Sequence, residues 1–69
     1  MTQEHIDYIE SNMLLFTTSR RYAPAELQKI YEIYNAVTGE NKKVTGCGRC
    51  QTNVKQIILF NYDKARRKD

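Results

Sequence analysis

The chain has no tryptophan, one proline, three glycines, one histidine and no apolar run longer than four residues. Each shortage excludes something. With so little Gly and Pro and 41% hydrophobic residues, the composition is that of a globular protein and not of a low-complexity or disordered one. The longest apolar runs, Met13–Phe16 and Ile57–Phe60, fall far short of a membrane span. Residues 1–19 contain no Lys or Arg but do contain Glu4, Asp7 and Glu10, which is unlike a secretory signal. The expectation is a cytoplasmic protein with reduced thiols and no membrane association. Catalytic signatures are also missing: there is no Ser-His-Asp order, no glycine loop for phosphate and no recognisable carboxylate pair. A non-enzymatic role is expected.

What is present reads as helix. Sixty-nine residues make a single domain, 1–69, whose core is thin and invites a staple or a partner subunit. In the first segment, about 3–17, Ile6, Ile9, Met13 and Phe16 recur at spacings of three and four, behind an N-cap at Thr2. Pro24 opens a second helix, about 24–38, with a stripe of Leu27, Ile30, Tyr31, Tyr34 and Val37 widened by Ile33 and a left-handed cap at Gly39. A third helix, about 48–65, carries Val54, Ile57, Ile58 and Tyr62, with Leu59 and Phe60 broadening its apolar arc. The run Val54–Tyr62 has strand propensity, but no second strand candidate exists to pair with it. The fold class predicted is all-α: three helices, the last two forming an antiparallel hairpin, with a frayed basic tail over 65–69. The broad arc of the third helix points to a homodimer or another protein partner.

Charge is segregated. Residues 1–19 hold three acids and no bases, hence −3; residues 20–69 hold eleven bases against five acids, hence +6. The bases gather at Arg20–Arg21, Lys42–Lys43 and Arg66–Lys68, which suits an anionic partner or a head-to-tail copy. Two helices joined by a glycine-containing turn resemble helix-turn-helix DNA-binding proteins, although the connector Gly39–Gly46 is longer than their turn. On the nucleic-acid reading, Lys42, Lys43, Arg49, Arg66, Arg67 and Lys68 neutralise phosphates, while Gln51, Asn53 and Lys55 face the duplex. The bland alternative is solvated loop lysines, with terminal bases complementing a helix dipole. A third possibility uses the apolar face of the last helix to dock a protein, as an adaptor, inhibitor or virion component.

The cysteines form Cys47-Gly48-Arg49-Cys50 at the start of the third helix. Three readings stay open. They are half of a zinc site completed by a second copy, since one chain offers only two thiols and the distant His5. They are a redox dithiol, although no βαβ unit surrounds them. Or they are small residues that cap a helix.

The run Tyr31–Val54, with Tyr-Asn-x-x-Thr-Gly at Tyr34–Gly39, a Lys-rich connector, then Thr-x-Cys-x-x-Cys at Thr45–Cys50, resembles short proteins of tailed bacteriophages. The likeness covers about a third of the chain. It implies a viral or mobile-element origin and a role in DNA binding or in engaging a host protein, and it transfers no catalytic residues.

Overall fold

The computed structural model describes residues 1–18 and 21–66. Among these the chain is helical without strands, in the order α1 Gln3–Ser11, α2 Met13–Thr17, α3 Pro24–Thr38 and α4 Gly48–Arg66. The all-α expectation is met.

The first segment differs from the single helix its spacing predicts. It breaks at Asn12, whose backbone leaves the helical region (φ −129°, ψ 37°). The cause is local competition: the Asn12 Nδ2 donates to the Tyr8 carbonyl at 2.9 Å, the same oxygen that its own N–H reaches at 3.0 Å. The i, i+3, i+7, i+10 spacing survives the bend, so Ile9 and Phe16 still both enter the core.

The ends of α3 are as expected. Glu26 accepts the Ala23 N–H at 2.9 Å, one half of a capping box, because Ala23 has no side-chain oxygen to return the bond. Gly39 closes the helix at φ 77°, a conformation that costs any residue with a Cβ. At the far end of the chain, α4 continues through Ala65 and Arg66, and residues 67–69 lie outside the described region.

α3 and α4 form the main packing pair, with α2 also lying on α4. They run antiparallel: Tyr22, just before α3, meets Lys55 in mid-α4, whereas Tyr31, halfway along α3, lies near Cys50 at the start of α4. The core comprises Ile9, Phe16, Ile30, Tyr31, Ile33, Tyr34, Val54, Ile58 and Tyr62. A side chain of this kind contributes about 1.5–3 kcal/mol when fully buried. Tyr62 also ties the chain's two ends together, its hydroxyl donating to Glu10 at 2.8 Å while Arg66 donates to it at 3.2 Å.

The connector is long but ordered, and the Tyr-Asn-x-x-Thr-Gly motif is what orders it. Asn35 clamps the backbone of Lys42 from both sides, donating to its carbonyl and accepting its N–H, each at 2.9 Å. Tyr34 donates to Glu40 at 3.1 Å, and Thr38 accepts the Glu40 N–H at 3.3 Å. Side chains of α3 thus hold the loop that leads into α4.

Candidate nucleic-acid interface and the thiol pair

The apolar face of α4, expected to be available to a partner, is spent on the chain's own core: Val54 and Ile58 are fully buried and Tyr62 nearly so. With about 3.6 residues per turn, this register turns Arg49, Thr52, Asn53, Gln56, Phe60, Asp63 and Lys64 outward within an arc of about 120°. All seven are exposed, and Phe60 is 64% so. The ammonium of Lys64 sits 5.2 Å over the Phe60 ring. No acid occurs between Asn41 and Tyr62, and Asp63 is the sole acid on α4.

The sequence-derived site residues divide along this geometry. Arg49 and Asn53 share the outward face, and Lys42 and Lys43 are exposed on the connector that feeds it. Lys42 is steadied by the Asn35 clamp and by the Tyr34 ring, 5.2 Å from its ammonium. Gln51 and Lys55 do not join this surface. Gln51 is half-buried and donates to the Thr45 carbonyl at 2.7 Å, latching the connector to the helix. Lys55 is only 9% exposed, its ammonium 5.2 Å from the Tyr22 ring. Arg66 is exposed at the opposite end of α4, 3.8 Å from Glu10 and over the Tyr62 ring. Arg67 and Lys68 lie outside the described residues. Gln56, Phe60 and Lys64 complete the outward face. The register set by Val54, Ile58 and Tyr62 already implied them, at seven, eleven and fifteen positions after Arg49.

Cys47 occupies the N-cap of α4. Its carbonyl accepts the Gln51 N–H at 3.0 Å and its sulfur accepts the Cys50 N–H at 3.2 Å. Its own N–H donates to Thr45 Oγ1 at 3.2 Å. Both cysteines are exposed and neither is in a disulfide. The pair is electrostatically unequal. The Cys50 thiol, then the N–H groups of Cys50 and Arg49, hold the Cys47 thiol below its ordinary value. The same thiol–thiol hydrogen bond pushes Cys50 up. Among the described residues no group of three or more His, Cys, Asp or Glu side chains is placed to hold a metal ion, so a zinc site here would need a second copy.

Among the described residues no helix is long and apolar enough to cross a membrane. No protein-family model, curated protein or solved structure matches this chain.

Proposed function

We propose that the protein binds nucleic acid, laying the outward face of α4 along a groove of the duplex while the connector lysines contact flanking phosphates. The observation that carries this reading is the composition of that face. Arg49, Asn53, Gln56 and Lys64 are residue types that pair with base edges and phosphates, and they share one exposed stripe. Phe60 in their midst offers an apolar contact of the kind a thymine methyl accepts. Lys42 and Lys43 extend the positive surface toward the start of the helix, as a phosphate contact requires.

Fluorescence anisotropy with a labelled duplex tests this. Binding is expected at low salt, weakening with a log–log slope of about −0.9 per phosphate neutralised. The pair Lys42→Ala and Lys43→Ala lowers affinity alike for all sequences and flattens the slope by about two phosphates' worth. Absence of binding to duplex or single strand at low salt would end the proposal.

The exposure of Phe60 and of Leu14, 69% exposed on α2, favours a second reading in which a protein docks here, such as a second copy of the chain. On that reading, sedimentation velocity finds a dimer that Phe60→Ser dissociates and that Lys42→Ala with Lys43→Ala leaves intact.

A further inference from the structure

The thiol pair takes no part in either reading, yet it is a built feature. Thr45 anchors it on one side through the Cys47 N–H, and Gln51 holds Thr45 in turn through its carbonyl. The two sulfurs lie within one helical turn, both open to solvent, and they are not equivalent: Cys47 Sγ accepts the Cys50 backbone N–H at 3.2 Å, a bond that favours its thiolate.

A second observation lies beneath them. The Tyr31 side chain is only 2% exposed, and its hydroxyl has no hydrogen-bond partner among the described residues. Burial is the main reason this phenol holds its proton, and the thiols at Cys50 and Cys47 are close enough to reinforce that by their charge. An orphaned buried donor is costly and calls for an explanation. Here it stands beside the groups on which an incoming sulfur would arrive.

We propose that Cys47 and Cys50 are a dithiol that exchanges with low-molecular-weight disulfides, Cys47 attacking and Cys50 resolving. In the first step the Cys47 thiolate attacks one sulfur of R–S–S–R. The Cys47–S–SR bond forms, the S–S bond breaks, and RS⁻ departs and takes up the proton that Cys47 gave to solvent. In the second step the Cys50 thiol loses its proton and attacks the Cys47 sulfur, releasing a second RS⁻ that is protonated in turn. The two thiols of the chain are oxidised to one disulfide, and the small disulfide is reduced to two thiols. A disulfide holds its two Cβ atoms about 4 Å apart, so Cys47 at the N-cap and Cys50 in the first turn of α4 must approach to that separation. A helix end without covering layers can make that movement. A metal site would need two further ligands, and the described residues bring none to the pair.

The test uses the full chain, oxygen-free, with glutathione disulfide as the probe. Samples are quenched with acid, alkylated and weighed intact. The wild type should pass through a singly glutathionylated species to one that has lost two hydrogens. Cys50→Ser should stop with glutathione on Cys47, and Cys47→Ser should react about tenfold or more slowly. Circular dichroism should show all three folded, since the sites are exposed and serine is a good N-cap. Equal rates for the two single variants would overturn the proposal. So would a wild type that accumulates glutathione on both cysteines. A purified dimer holding a divalent metal, inert to the disulfide until chelated, would replace it with a shared metal site. None of these outcomes depends on nucleic-acid binding.

Discussion

At the scale of single residues, the thiol pair shows how hydrogen bonds at a helix start make two like side chains unlike. Because the folded chain favours the Cys47 thiolate, that anion forms at a lower pH than it would in the unfolded chain, while Cys50 ionises later. Alkylation by iodoacetamide should therefore label Cys47 first as pH rises from neutral, and the onset should move to higher pH in urea. Simultaneous labelling of both would contradict the asymmetry. Tyr31 yields a second expectation. Its hydroxyl has no partner among the described residues, so Tyr31→Phe should leave the thermal midpoint unchanged or raise it, by up to about 1 kcal/mol in stability. A clear fall would reveal a bond the hydroxyl makes. Some of this was legible beforehand: Cys-x-x-Cys at a helix start already suggests a polarised pair. Lys55 was not. Three positions before Ile58 and seven before Tyr62 it falls on the inward side of α4, but its residue type pointed it outward, and the Tyr22 ring that meets its ammonium comes from another segment.

At the scale of elements, α4 is two surfaces on one helix. Ile58→Ala should cost about 2–5 kcal/mol, since the side chain is fully enclosed, against a total of about 3–10 kcal/mol for a chain of this length. Phe60→Ala, two positions away on the outward face, should stay within about 0.5 kcal/mol. Urea denaturation of both variants checks the register in one experiment; equal losses would refute it. The limits of α3 could be read from Pro24, Glu26 and Gly39, because capping and left-handed backbone are local chemistry. The inward turn of Gln51 was readable too, three positions before Val54, but residue type alone pointed it toward a duplex. The break at Asn12 was hidden for a different reason. A bent and a continuous helix present the same Ile6, Ile9, Met13, Phe16 spacing, and only the competition for the Tyr8 carbonyl distinguishes them.

At the scale of the whole molecule, a thin core leaves little to spare, and the chain compensates with side-chain ties across its length. Tyr62 joins Glu10, Asn35 clamps Lys42, and Gln51 reaches back to Thr45. Two of the three acids of the first segment are drawn into such ties: Glu4 is 3.8 Å from Lys29, and Glu10 meets Tyr62 and Arg66. Lys42, Lys43 and Arg49 are left exposed, in a stretch of sequence with no acid between Asn41 and Tyr62. The segregation of charge was plain in the sequence; which bases reach the outward face of α4 and its connector, and that Lys55 and Arg66 do not, needed the fold. The most direct measurement is the amide NMR spectrum of the labelled protein as a short duplex is added at low salt. The account predicts shifts concentrated at Lys42, Lys43, Arg49, Asn53, Gln56, Phe60 and Lys64, reversed by added salt. No shifts, or shifts gathered on α1 and the outer side of α3, would contradict it.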